Sequence, residues 1–250
     1  MIVYFSATGN SKYVAERVAE ATGDTAVSIE KQKPVINLST GEVFGLVTPT
    51  YDYTLPFIVK DFLSRLELNF ASRPYLFYVG TFGTSTGAAS AMANAVMQKK
   101  GHPFEAMFDI RMPDTWTPMY DLSDPVKVAQ INRKADEEIE ELIDQIRNRV
   151  TGKHMDLTFP VFVGKIGEKL YEGTRKTKNL SVTDNCIGCG LCAKKCPVQA
   201  IEIRNGRPVW IKEQCVMCLR CLHHCPSFAI QYGSGKTKRH GQYTNPNVRI

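Results

Sequence analysis

The chain has 250 residues, 43% of them hydrophobic and 22% charged, the balance of an ordinary globular protein long enough for two domains. That excludes a disordered, collagen-like or coiled-coil chain, and no apolar run approaches the roughly 18–20 residues that span a bilayer. The net charge of +6 is uneven: residues 1–150 carry 15 Lys and Arg against 19 Asp and Glu, net −4, and residues 151–250 carry 16 against 6, net +10. The opening residues Met1-Ile-Val-Tyr-Phe have no charged n-region, so no secretory leader is expected and the expected location is cytoplasmic.

In chain order, strands are predicted over residues 2–5, 25–29, 43–47, 75–80 and 104–110. These runs are nearly continuous in Val, Ile, Phe and Tyr, as strands buried on both faces read. Helices are predicted over 11–21, 56–66 and 88–100. A further helix is marked by the apolar stripe Val128, Ile131, Ala135, Ile139, Leu142, Ile143, Ile146 and Val150, opposite an acidic face from Asp136 to Asp144. Five strands alternating with helices predict an α/β fold with a doubly wound parallel sheet over residues 1–150.

Residues 151–183 read as a basic connector. It has an apolar piece from Leu157 to Val163, then Lys165, Lys169, Arg175, Lys176 and Lys178, either a solvated face or a surface docking on the acidic helix. Residues 184–232 contain a repeat with an offset of 29: Cys186, Cys189, Cys192, Cys196 and Pro197 recur as Cys215, Cys218, Cys221, Cys225 and Pro226. Residues 233–250 read as a loop tail.

All eight cysteines lie within the repeat, and each half spells Cys-x2-Cys-x2-Cys-x3-Cys-Pro. A cubane needs four thiolates at its corners. A tight loop wraps three of them, and the Cys before Pro reaches the other cluster. The predicted sets are therefore Cys186, Cys189, Cys192 and Cys225 for one [4Fe–4S] cluster, and Cys215, Cys218, Cys221 and Cys196 for the second. Zinc knuckles do not add a third Cys at this spacing, and disulfides need an oxidising compartment. The segment resembles a bacterial two-cluster ferredoxin, which implies a small α+β domain.

The segment Ser6-Ala7-Thr8-Gly9-Asn10-Ser11 follows the first strand and opens a helix. Small hydroxyl residues and one glycine at a helix start make a phosphate nest, although they also serve as an ordinary N-cap. The frame is neither Gly-x4-Gly-Lys nor Gly-x-Gly-x-x-Gly. Two more loops leave the carboxyl ends of strands, where open α/β sheets bind ligands: Pro49-Thr50-Tyr51-Asp52 with Tyr53, and Thr81-Phe82-Gly83.

Residues 1–150 resemble a flavodoxin domain, and the whole chain resembles ferredoxins that carry an N-terminal flavodoxin domain. The resemblance implies strand order 2-1-3-4-5 and bound FMN. Ser6, Thr8, Gly9, Asn10 and Ser11 would hold its phosphate. Pro49, Thr50, Tyr51 and Asp52 would flank the ring on one side, and Thr81, Phe82 and Gly83 on the other. Trp116 is expected at the interface of the two domains, and His223 and His224 at the surface.

Three functions follow as expectations. The first is electron transfer, with two one-electron clusters coupled to FMN and a redox partner protein. The second is a flavin-dependent reductase of a small acceptor. The third is a non-redox docking or nucleic-acid module. Each oxidised cubane with its thiolates carries about −2, which offsets about four positive charges of the basic half and weakens the nucleic-acid reading. No constellation of catalytic acid, base or nucleophile is visible, so a carrier is favoured over a self-sufficient enzyme.

Overall fold

The structure, a computed structural model, describes residues 1–156 and 158–250. Leu157, the first residue of the predicted apolar piece, lies outside the described residues.

The first half builds β1 (Ile2–Tyr4), α1 (Asn10–Thr22), β2 (Ala26–Ser28), β3 (Val35–Leu38), β4 (Val43–Pro49), α2 (Phe57–Arg65), β5 (Glu67–Phe70), β6 (Tyr75–Phe82), α3 (Ala89–Lys99), β7 (Ala106–Arg111) and α4 (Pro125–Arg147). Next come β8 (Gly152–His154), α5 (Val161–Thr174), β9 (Leu180–Val182), α6 (Leu191–Lys194), β10 (Ile201–Arg204), β11 (Arg207–Trp210), α7 (Arg220–His223), β12 (Ile230–Tyr232) and α8 (Lys236–His240).

The main sheet runs β2-β1-β4-β6-β7-β8 and every pairing in it is parallel. The five predicted strands occupy the expected order, and β8 adds a sixth at the edge. Its residues Gly-Lys-His are exposed and carry no apolar pattern, so nothing in the sequence marks them as a strand. The parallel pair β3–β5 is likewise additional to the predicted strands. Each strand is only four residues long, and β3 buries only alternate side chains.

Helices cover both faces, as near-continuous apolar strands require. On one face α1 and α4 pack Val14, Val18, Ile139 and Ile143 against Phe77 and Phe108. On the other, α2 and α3 pack Val59, Phe62, Ala93 and Met97 against Phe44 and Tyr78.

Among the described residues the basic stretch of the connector forms no ion pair with the acidic helix. Helix α5 lies on α3, and the fit needs glycine: a Cβ on Gly164 would sit 2.8 Å from the Ala88 Cβ and 2.6 Å from the Met92 Sδ. Within the described connector, Glu168 pairs with Lys60 and Arg175 with Glu172, while the acidic α4 uses Arg17 of α1 as its partner for Glu140. A cation already carried on the adjacent α1 removes the need for one from the connector.

The repeat forms a small unit from two antiparallel pairs, β9–β12 and the β10–β11 hairpin. The hairpin turns on Asn205 and Gly206, both at positive φ. The tail holds helix α8 where a loop was expected, and its last residues run back to the start of α1. No helix of the described residues is long and apolar enough to cross a membrane.

Candidate cofactor site

A cleft, partly open to solvent, lies at the carboxyl ends of β1, β4, β6 and β7. Eleven of the twelve residues assigned to FMN line it: Ser6, Thr8, Asn10, Ser11, Pro49, Thr50, Tyr51, Asp52, Thr81, Phe82 and Gly83.

Gly9 stands behind the first loop. It takes φ 107° as the residue before α1, and a Cβ there would lie 2.7 Å from the Asn245 Cβ. Its N–H donates to Ser6 Oγ at 3.1 Å. Among the described residues no side chain caps α1, so the ordinary N-cap reading does not hold, and its first-turn N–H groups have no side-chain acceptor there. An uncapped helix start beside buried hydroxyls fits a phosphate. The Asn10 side chain is engaged elsewhere. Its Nδ2 donates to the Pro113 carbonyl at 3.2 Å and its Oδ1 accepts from Tyr243 Oη at 2.9 Å.

The second loop turns at Asp52 and Tyr53, with φ 46° and 64°, closed by reciprocal backbone bonds between Tyr51 and Thr54. Positive φ at Tyr costs roughly 1–2 kcal/mol and persists only where the surroundings over-determine it. Two glycines do that. A Cβ on Gly87 would lie 2.4 Å from the Tyr53 carbonyl, and one on Gly167 would lie 2.5 Å from the Asp52 carbonyl. Thr174 Oγ1 donates to Asp52 Oδ2 at 2.7 Å, while burial raises the Asp52 carboxyl above its ordinary value.

The third loop is tied to the others. Thr81 Oγ1 and Ser11 Oγ share a hydrogen bond of 2.8 Å, and the Thr50 N–H donates to the Thr81 carbonyl at 3.0 Å. Thr50 Oγ1 is buried on the cleft wall with no partner among the described residues, an orphan hydroxyl that a polar ligand edge would satisfy.

Several lining residues were not assigned to the flavin from the sequence. Asp114, Trp116, Met119 and Tyr120 follow β7, Tyr171 and Thr174 come from α5, and Met217, Cys218 and Leu219 come from the second cysteine loop. Trp116 both lines the cleft and meets Tyr232 of the repeat at 5.0 Å between ring centroids. The latter three had a legible signal. With the offset of 29, Met217 and Leu219 replace Gly188 and Gly190, and all four have positive φ. Left-handed backbone at two large residues costs roughly 2–4 kcal/mol in total. Burying both side chains, 4% and 3% exposed, returns roughly 1.5–3 kcal/mol each and prevails.

The cysteines gather as two sets. Cys186, Cys189, Cys192 and Cys225 line one cavity, and Cys196, Cys215, Cys218 and Cys221 line another. In each set the fourth cysteine comes from the other half of the repeat. Backbone N–H groups already point at sulfur: Ala200 donates to Cys196 Sγ and Ala229 to Cys225 Sγ, both at 3.3 Å, and Met217 to Cys215 Sγ at 3.2 Å. Four soft donors per cavity with N–H···S bonds fit cubane clusters. Burial pushes the Cys218 thiol up to about 12 and raises Cys221 well above its ordinary value, so metal loading must displace their protons.

His223 and His224 are not at the surface as expected. His223 is buried: its Nε2 bonds the Thr115 carbonyl at 2.9 Å and its Nδ1 accepts from the Tyr243 N–H at 3.1 Å. That pattern defines the neutral ring protonated on Nε2, and burial lowers its pKa to about 4. His224 Nε2 meets the Ala7 carbonyl at 3.2 Å. His223 therefore braces the repeat against the segment after β7 and the tail, and the half-buried His224 braces it against the first loop.

The site is thus a flavin-type cleft of a doubly wound α/β domain, roofed by a two-cluster iron–sulfur unit. Residues 1–141 match the family model of the flavodoxin domain and residues 178–238 that of the 4Fe-4S dicluster domain; the chain belongs to the flavodoxin-domain family. Its cofactors are accordingly FMN and two [4Fe–4S] clusters, and it is an iron–sulfur flavoprotein of electron transfer.

Solved structures similar to the chain include the flavodiiron core of Flv1 from Synechocystis sp. PCC6803, 18% identical with TM-score 0.36 over 58% of this chain. The match spans 36% of the Flv1 chain. A short-chain flavodoxin associated with a non-canonical PDU bacterial microcompartment is 15% identical, with TM-score 0.35 over 56% of this chain and 95% of its own. An FMN-dependent NADH-azoreductase from Bacillus anthracis, in complex with FMN, is 12% identical, with TM-score 0.37 over 58% of this chain and 97% of its own. No curated protein matches the chain.

Proposed function

We propose that the chain is a one-to-two-electron relay in which the second cluster exchanges electrons directly with FMN. One observation carries this reading: Cys218 and its neighbours Met217 and Leu219 line the same cleft as the three flavin loops. Bound FMN supplies a two-electron centre that exchanges electrons singly, and each cluster supplies one electron.

The chain's own residues hold these centres. In this reading residues 1–150 carry the flavin and residues 184–232 the clusters, while 151–183 and 233–250 brace them. Ser6, Thr8, Ser11 and the α1 amides hold the phosphate. The clamped turn at Asp52 and Tyr53 and the loop Thr81–Gly83 fix the ring edges. Tyr51 packs between Phe5 and Tyr171, at 6.5 and 6.0 Å, and with them keeps water from the inner end of the cleft. The first cluster loop faces outward, with Cys189 exposed and Ile187 67% exposed, and is the surface a redox partner protein would meet. Thiolate-held clusters also suit a reducing compartment such as the cytoplasm.

A second reading has one supporting feature. The cleft has an open side beside Met119, 67% exposed, where a small acceptor could reach the flavin. Rapid oxidation of the reduced protein by such an acceptor, at enzyme-like rates of about 1–10³ per second, would favour it.

Iron and flavin content of protein purified without oxygen tests the proposal. The relay requires about eight iron and one FMN per chain. Eight iron with no flavin, even after FMN is added, would reduce residues 1–150 to a scaffold and end the proposal.

A further inference from the structure

The two cluster loops are related by the offset of 29, and at one of the positions where they differ a charge faces a cysteine cavity. Leu191 lines the first cysteine cavity, and its counterpart in the second is Arg220. Arg220 is 5% exposed, and a buried guanidinium is retained only where its charge and donors are satisfied.

Most of its donors are accounted for. Nη2 donates to Glu30 Oε1 and to the Ser6 carbonyl, both at 2.6 Å. Nη1 donates to Glu30 Oε2 at 2.8 Å and to the Lys195 carbonyl at 3.0 Å. The guanidinium also lies over the Phe5 ring at 5.7 Å. Only Nε is left, buried with no partner among the described residues. An orphan donor of that kind costs roughly 1–3 kcal/mol unless an acceptor meets it. It belongs to the residue that lines the cavity shared by Cys196, Cys215, Cys218 and Cys221.

The surroundings give this donor a purpose. Val216, Met217, Leu219 and Leu222 around that cavity are each 4% exposed or less, whereas the first loop leaves Ile187 67% exposed. Dry walls make an added electron costly, so burial alone would leave the inner cluster the harder one to reduce. A positive charge with an N–H toward sulfur offsets that cost.

We propose that Arg220 is a positioning residue that raises the reduction potential of the second cluster through its charge and its Nε–H, so that electrons arriving at the outer cluster settle beside the flavin. The same side chain fixes the phosphate loop through Ser6, so cluster and flavin loop share one support. This proposal rests on the relay reading above.

The test is an anaerobic potentiometric titration followed by EPR, on the intact chain and on two variants. Arg220→Leu copies Leu191 and is expected to lower the potential of one cluster while leaving the other unchanged. Glu30→Gln keeps the donor but unmasks the guanidinium charge, and is expected to raise the potential of that same cluster. The opposite signs matter, because a merely structural role would loosen the site in both variants alike. If Arg220→Leu fails to assemble, the sign in Glu30→Gln decides. Unchanged potentials at about eight iron per chain, or shifts of the same sign in both variants, would overturn the role of Arg220. Iron near four in the unmodified chain would instead mean that one cluster is absent, and the relay reading with it.

Discussion

Tyr171 donates its hydroxyl to the carbonyl of Val216 at 2.5 Å, which ties helix α5 to the loop carrying Cys215 and Cys218. The same oxygen accepts from the Phe57 N–H at 3.4 Å, and the ring is 2% exposed. One side chain of the connector thus joins the flavin domain, through α2, to the second cluster loop. Tyr171→Phe would leave the Val216 carbonyl without its donor. A loss of roughly 1–3 kcal/mol in unfolding free energy is expected, with faster amide exchange at residues 215–219. A change below about 0.5 kcal/mol would show that the hydroxyl adds nothing.

The Asp52–Tyr53 turn depends on Gly167. A Cβ there meets the Asp52 backbone carbonyl at 2.5 Å, and backbone cannot swing aside as a flexible side chain can. Gly167→Ala is therefore expected to displace the turn and weaken FMN by about tenfold or more, which corresponds to about 1.4 kcal/mol. Iron content should be unchanged. Flavin fluorescence titration of the apo-flavin protein measures the first, and unaltered affinity would show that this turn does not hold the ring.

The tail straps the phosphate loop from behind. The Asn245 N–H donates to the Thr8 carbonyl at 2.7 Å, and Tyr243 Oη donates to Asn10 Oδ1 at 2.9 Å and lies 3.0 Å from the Asn132 side-chain amide. Gln242, just before them, bonds the Leu222 and Cys225 carbonyls at 2.6 and 2.8 Å. Ending the chain after Gln242 keeps the latter pair and removes the strap. Flavin should then dissociate about tenfold faster or more while both clusters remain. Equal loss of iron and flavin would place the tail's role in the overall fold instead.

Asp109 gives a pH signature away from the cofactors. One carboxylate oxygen is buried with no partner among the described residues. Burial, then Asp156 and Glu138, push the carboxyl from 3.8 up to about 7. The native state therefore keeps a proton that the unfolded chain releases. The stabilisation is fully present below about pH 4 and is lost as pH rises through about 7. Asp109→Asn should flatten the fall in stability between about pH 4 and about pH 7, as followed by thermal unfolding. An unaltered slope would mean that Asp109 ionises as an ordinary surface carboxylate.

What the sequence discloses follows from how local each signal is. The central strands are legible because both their faces are covered, so 43–47 and 75–80 read as unbroken apolar runs. The segment from Ser6 to Ser11 and the cysteine spacing are legible because a few adjacent residues carry the chemistry. Contacts between distant parts are not. His223 reads as a surface residue until Thr115 and Tyr243 close over it, 108 and 20 residues away. Asn10 reads as a phosphate ligand, but its side chain answers to Tyr243 and Asn245. The strand β8 carries no pattern, because it takes its place from β7 alone.

In the relay reading, FMN and the second cluster are neighbours in one cleft. That adjacency is read most directly by EPR power saturation of the one-electron-reduced flavin signal, in protein that also holds a reduced second cluster. Adjacent paramagnets relax each other, so the flavin signal should be broadened and hard to saturate. It should revert to an easily saturated signal when Cys218→Ala removes the second cluster. A flavin signal that saturates easily in the intact protein, indifferent to the loss of Cys218, would contradict the relay.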